Sequence, residues 1–597
     1  MSVVIQRRTK LLLAAVAAAA LTIPALAQDQ PESLLPPGFG QPEPTPAPTP
    51  APSPTQQVTQ PAPGESLVQE VSPDAGLAEL VEQELPPPIE LPEFARRDPT
   101  EVGSLPPAQT GFAEGSWGRA SGKFLSVLLR RTRAPLASRW AHITLRNALL
   151  TQLQAPSDIH PADWAAERAW LLLRMGEADG ARMLVSAVDV RDFTPKMYQV
   201  AVQSALANAD PSALCPLEDG LEKVERQVLP LIRAMCASLS GASEEAAADI
   251  DNARRRGRVG GIDLALADKV VGAGADTSRA ATIEWQQANQ LNAWRFGLAT
   301  ATGLAPPPNL IDGASPQVRA WQARAPILSA EVRLPSARIA AGLGVFSSQA
   351  LIDLYSMVYD ATDPSDLGQS DAWQVRLAMV GRDLDTRLGA MRRLWTSTAD
   401  GVEREAIRAL LGRSASRVAP DPDLEADAPN LIASMLAAGY DRQAARWAGA
   451  IRRMDDENAD KCWAMLVLAA PETAGLDLSY GRINEFIGRD TSPGKQRSAL
   501  LVAGLAGLGR IDGRTAGRLS NRHNLGLGHR TAWTNMIDAA SVRRQAATVA
   551  VLMGAGMQAS DFLSVPGVHI FHAVTALRRN NQEFAARMIA SEALART

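Results

Sequence analysis

The stretch Trp170-Leu-Leu-Leu-Arg-Met-Gly176-Glu-Ala-Asp-Gly-Ala181-Arg-Met-Leu184 decides how this chain folds. An apolar run of helical character meets Gly176, whose missing Cβ permits the left-handed conformation that ends a helix. A polar linker follows, then Ala181 five residues past the glycine and Leu184 three further on. A small residue lets a second helix approach the first, and a large one fills the space beside it. The same form recurs at Gly241 to Ala246, Gly439 to Ala444 and Asn580 to Ala585, with Trp447 and Met588 as the large residues at the same spacing and Ile250 one position later.

Working outward, the segments between these turns are helical in period. Ile232, Met235, Cys236 and Leu239 follow i, i+3, i+4, i+7, as do Leu351, Leu354, Tyr355 and Val358, which places each set on one face of a helix. Ser315-Pro316, Ser347-Ser348 and Ser370-Asp371 read as helix starts. No sustained period-two run is bounded by hairpin turns. Aromatic residues are only 5% of the chain, and Ala, Leu and Arg dominate, a composition that favours helices over strands. Only seven of the 60 basic residues are Lys; a GC-rich genome accounts for this, with Arg-based recognition as the sharper reading.

The helix-Gly-Ala turns resemble those of tetratricopeptide-like repeats, and Trp170 to Gly176 is similar to the end of such a repeat's first helix. The full Trp…Leu-Gly…Tyr pattern and the closing Pro are absent, and the gaps between anchors are irregular. The resemblance, to bacterial periplasmic α-helical-repeat proteins, implies an all-α chain: an α-solenoid of stacked antiparallel helix pairs, preceded by a disordered Pro-rich N-terminal tail. Such families usually serve as adaptors or scaffolds.

The N-terminus has the three-part grammar of a secretory signal. Arg7, Arg8 and Lys10 are followed by an apolar run from Leu11 to Ile23, then Ala25-Leu26-Ala27 and polar Gln28. Cleavage after Ala27 is expected, giving a periplasmic chain with no transmembrane segment once mature. Residues 28–112 read as a disordered acidic linker. Residues 28–110 hold 20 of the 41 prolines, and residues 28–93 carry 11 Asp or Glu with no Lys or Arg. Such a run favours extended polyproline II and has little apolar surface to bury. Residues 94–597 then carry 57 basic and 53 acidic residues, a net +4.

One island interrupts the linker. Ser72-Pro73-Asp74 is a helix-start signal; Leu77, Leu80 and Val81 share a face; Pro86-Pro87-Pro88 ends the segment. A short amphipathic helix of this kind is a candidate partner-binding element, or one that docks on its own body. Beyond it, Lys123, Arg130, Arg131 and Arg133 form a candidate basic patch beside Phe124, Leu125, Val127, Leu128 and Leu129. The ordinary reading is the first body helix with a solvated basic face, which can also attract the acidic linker. The body is expected in two halves, 113–302 and 317–597, around a Pro-rich break at 303–316.

Of the three cysteines, Cys215 precedes Pro216 at a helix start and Cys236 lies near the end of the next helix. An antiparallel hairpin brings those ends together, so a disulfide is expected, with a loop that stabilises by about 3 kcal/mol. Cys462 is then a buried free thiol.

No GxSxG, HExxH, P-loop or dinucleotide fingerprint stands in a suitable context. His569 and His572, and His523 and His529, are spaced for a metal but read as ordinary core or surface residues. The spaced carboxylates of Asp421 to Asp427 lack the central Gly of a calcium loop. No catalytic residue, metal ligand or cofactor is therefore assigned. In compartment and composition the body is similar to the superhelical part of soluble lytic transglycosylases. Their catalytic Glu-Ser and Gly-Leu-Met-Gln segments have no match here beyond the echo Val551-Leu-Met-Gly-Ala-Gly-Met-Gln558. The expectation is a non-enzymatic scaffold for envelope proteins, with no nucleic-acid partner. A peptidoglycan enzyme or accessory factor and a structural envelope protein are the alternatives.

Overall fold

The computed structural model describes residues 96–257, 259–274, 282–398, 401–473 and 475–597. The expected signal segment, the Pro-rich run and Leu77, Leu80 and Val81 lie outside these residues. The described residues form an α-solenoid: 29 α-helices packed in pairs, with no strand.

The turns that join the pairs follow from their sequence. At Gly176 (φ +87°) the chain enters the left-handed region, and the Glu177 N–H donates to Leu172 O at 2.9 Å. This closes the Pro161–Arg174 helix with the six-to-one bond that satisfies otherwise orphaned carbonyls. A Cβ at Gly176 would also fall 2.6 Å from the Ala320 Cβ, so both conformation and packing require glycine there. The same bond closes the helices ending near 239 (Ala242 N–H to Ala237 O), 437 (Tyr440 N–H to Met435 O) and 579 (Gln582 N–H to Leu577 O). At the last of these, Asn581 rather than Asn580 takes the positive φ. Ala181, Ala246 and Ala444 are fully buried, as are Leu184, Ile250, Trp447 and Met588 beside them.

The array closes on itself. The segment leading into the first helices lies along the last ones: the Ala547 N–H donates to Ser116 O (3.1 Å), and the Ala137 N–H to Met557 O (2.9 Å). At the centre is the Arg139–Leu150 helix, which buries Ala141, Leu145, Ala148 and Leu149 completely. Its N-terminus is held by Glu592 of the final helix, Glu583–Ala595. That carboxylate accepts from the N–H groups of Arg139 (2.8 Å) and Trp140 (3.2 Å) and from Ser138 Oγ (2.5 Å). A negative group suits this end because the N–H groups and the helix dipole point at it. Arg139 works oppositely. Its buried guanidinium donates to Ala341 O (3.0 Å) and Ala437 O (2.8 Å), near the carboxyl ends of the Ala330–Leu343 and Ala428–Ala437 helices, where a cation is favoured.

One apolar cluster runs from Val102 to Leu594. Val102 and Phe112, within the stretch read as linker, are buried in it, as are Leu310 and Ile311 within the stretch read as a break.

A buried carboxylate beside this junction carries a pH dependence. Glu405 is buried, and one of its oxygens has no hydrogen-bond partner among the described residues. Burial and then the nearby Glu592 carboxylate push its pKa above the ordinary value. The folded chain therefore holds this proton more tightly than the unfolded chain. Its contribution to stability falls as pH rises from about 4.3 through the raised folded value. Glu405→Gln is expected to flatten that decline, because the amide does not titrate. Thermal unfolding of both proteins across the pH range reads this; parallel curves would contradict it.

Cys215, in the 3₁₀ stretch Pro211–Leu217, and Cys236, in the Leu229–Leu239 helix, are joined as a disulfide with Cα atoms 5.5 Å apart. Burial of Cys462 pushes its thiol up to about 12, so it is unreactive in the folded chain. Denatured protein from an oxidising compartment should titrate one free thiol, and three after reduction. Three without reductant would refute the pairing.

Candidate docking groove

The Gly122–Arg131 helix is amphipathic in an unusual sense. Leu125 and Leu129, four residues apart, face the core and are fully buried. On another face Phe124 and Val127 are each 43% exposed, and Arg131 continues the same row one turn on. Opposite stands the Ala532–Val542 helix, where Met536, Ala539, Ala540 and Arg543 follow the i, i+3, i+4, i+7 spacing of one face. Met536 is 39% exposed.

Between the two helices lies a groove of about 790 Å³, lined by Phe124, Met536, Ala539, Leu552, Arg119 and Arg543 among others. Its floor is the Ala546–Gly556 helix, and it is held in shape by the closure of the fold. Thr548 Oγ1 donates to Trp117 O (3.0 Å), and the Trp117 and Trp164 rings meet edge to face with centroids 4.9 Å apart. Gly118 (φ +67°) passes so close to Gln545 that a Cβ there would lie 2.1 Å from its Nε2.

The electrostatics are one-sided. Two guanidinium groups and no carboxylate line the groove. The side chains of Arg119 and Arg543 are exposed and make no hydrogen bond or ion pair among the described residues. An apolar trough with unpaired cations on its rim can take an amphipathic segment whose polar face is acidic.

Two other clefts are less suited to this. In one of about 540 Å³, Arg482 and Arg489 already bracket Asp460 at 2.5 and 2.7 Å, and Arg482 lies over Trp463. In one of about 350 Å³, Arg376 sits over Tyr359, while Arg413 and Arg417 donate to Gln349 Oε1 and Met379 O.

The residues singled out from the sequence are divided by the fold. Lys123 and Arg131 are exposed at the two ends of the groove's first helix. Arg133 is exposed past its end, with its main-chain N–H donating to Gln558. Arg130 turns away and pairs with buried Glu167 at 2.5 Å, a carboxylate that Lys196 shares at 2.6 Å. Arg119, Met536 and Arg543 were not singled out. The face on the Ala532–Val542 helix is legible as a helical row, but its pairing with residues some four hundred positions earlier is not. The histidines are held separately: His569 by Gly556 O, His572 by Asp538, His523 by Asn484. Asp421 caps a turn at Asp423, and Asp427 pairs with Arg392. Among the described residues, one group of three potential metal ligands comes together, Cys215, Glu218 and Cys236, and its two sulfurs are bonded to each other.

Comparison with protein-family models, with curated proteins and with solved structures finds no match.

Proposed function

We propose that this chain is an exported helical scaffold whose groove between the Gly122–Arg131 and Ala532–Val542 helices binds an acidic amphipathic helix of an envelope protein. The observation that carries the reading is the juxtaposition of exposed Phe124 and Met536 with the unpaired Arg119 and Arg543 around one trough. Export to the periplasm rests on the residue 1–27 pattern. Among the described residues no helix is long and apolar enough to cross a membrane.

A photoreactive residue at Met536, compared with one at exposed Met357 outside the groove, tests the site. The expected result in envelopes is a crosslinked partner from position 536 alone, lost when Arg119 and Arg543 are both changed to Glu. Equal adducts from both positions, or adducts indifferent to the charge reversal, would overturn the reading. Phe124→Asp with Met536→Asp is expected to weaken partner binding at least about tenfold, since each large apolar contact contributes roughly 1.5 kcal/mol or more.

A further inference from the structure

We infer that residues 72–85 of this same chain occupy the groove when no partner does, so that the scaffold is held closed by its own N-terminal segment. The inference rests on the groove being a docking surface, and it adds what covers it.

Four observations carry it. The first is pattern: Leu77, Leu80 and Val81 fall on one helical face, suited to a trough floored by Thr548 and Leu552, with small Ala539 and Ala540 on one wall, and edged by Phe124 and Met536. As a helix, residues 73–85 would span about 20 Å, roughly the length of the two walls. The second is charge. Residues 72–85 carry Asp74, Glu79, Glu82 and Glu84 and no Lys or Arg, against a rim of Arg119 and Arg543 with no acidic lining residue.

The third is where the chain enters the body. Thr100 O accepts from the Ala155 N–H, and Ser157 O accepts from the Gly122 N–H, each at 2.7 Å. The lead-in segment and the start of the groove's first helix are thus bonded to one short loop, at positions two residues apart. The fourth is reach. The eleven residues from 86 to 96 span at most about 40 Å when extended, and their four prolines (Pro86, Pro87, Pro88 and Pro92) favour extension. A tether this short holds the segment at an effective concentration in the millimolar range. A weak contact is then enough to close the groove, and an outside segment has to compete with it. Screening follows too, because the rim charges are exposed.

The test uses the purified full-length mature chain with a photoreactive residue at Met536, as an equal mixture of isotopically light and heavy protein. The expected product is a light–light and heavy–heavy crosslink to a peptide within 72–85. Its yield should fall at least about tenfold in Leu77→Asp/Leu80→Asp/Val81→Asp, fall in Arg119→Glu/Arg543→Glu, and fall as salt is raised. Pairing Arg119→Glu/Arg543→Glu with Glu79→Arg/Glu82→Arg should restore it. Mixed light–heavy crosslinks would show a second copy in the groove and overturn the inference. So would a position 536 that crosslinks an envelope partner while never reaching 72–85, an outcome that leaves the groove as a docking surface intact. Failure of both crosslinks would remove the groove reading itself.

Discussion

Glu592→Ala is expected to lower the free energy of unfolding by about 3–5 kcal/mol, the range for removing one side of a buried, hydrogen-bonded charge. The carboxylate gathers two main-chain N–H groups at 139 and 140, Ser138 Oγ, and Arg596 Nη1 at 2.9 Å. Alanine would leave these donors facing a void, with the positive end of the Arg139–Leu150 helix uncompensated. Glu592→Gln keeps the shape and one acceptor oxygen, so its loss should be smaller. Both are read by urea denaturation. A lower midpoint with an unchanged slope would show lost stability without a change in how much surface unfolds. A Glu592→Ala protein within about 0.5 kcal/mol of wild type would mean that the last helix does not lock the Arg139–Leu150 helix.

Arg168→Met should cost a similar amount, about 3–5 kcal/mol, by a different route. Arg168 is fully buried with no carboxylate beside it, and burial pulls its pKa down to about 9. It is held by carbonyls alone: Leu149 O from Nε (2.8 Å) and Nη2 (2.5 Å), Val102 O from Nη1 (2.8 Å), and Thr151 O from Nη2 (3.0 Å). Two of those carbonyls end the Arg139–Leu150 helix, and the third belongs to the lead-in segment, which it pins. Methionine fills the volume but satisfies none of them. Arg168→Lys should recover only part of the loss, because an ammonium cannot present the planar fork that spans three acceptors. Denaturation gives the size of the effect. Faster proteolysis within residues 96–105 would locate it at the segment that Val102 anchors.

These residues show what the sequence made legible. Helix pairing was readable because its signals are local: a left-handed Gly176 or Gly439, an Ala five residues on, a large residue three beyond that. The disulfide expectation also rested on neighbours in one hairpin. Where non-glycine residues take the positive φ, at Ala209 and Arg544, the turns carry no such mark. Closure was not legible at all. Ser138 and Glu592 are 454 residues apart, and neither stands out from the many Ser and Glu on helix faces. Arg130 looked like its neighbours Arg131 and Arg133; only the packing of the Pro161–Arg174 helix places Glu167 under it. The groove was half legible. Its first wall was marked as a basic, apolar helix, but its second wall and the rim cation Arg543 arrive through closure.

The proposal that the groove receives acidic amphipathic helices meets its most direct test in one titration. A labelled peptide of residues 70–86 is titrated with full-length mature protein carrying Leu77→Asp/Leu80→Asp/Val81→Asp, in which the groove is open. Binding at least about tenfold tighter than to the wild-type chain, abolished by adding Arg119→Glu/Arg543→Glu and weakened by salt, is the predicted result. Equal binding to all three proteins, or binding that ignores Arg119 and Arg543, would contradict it.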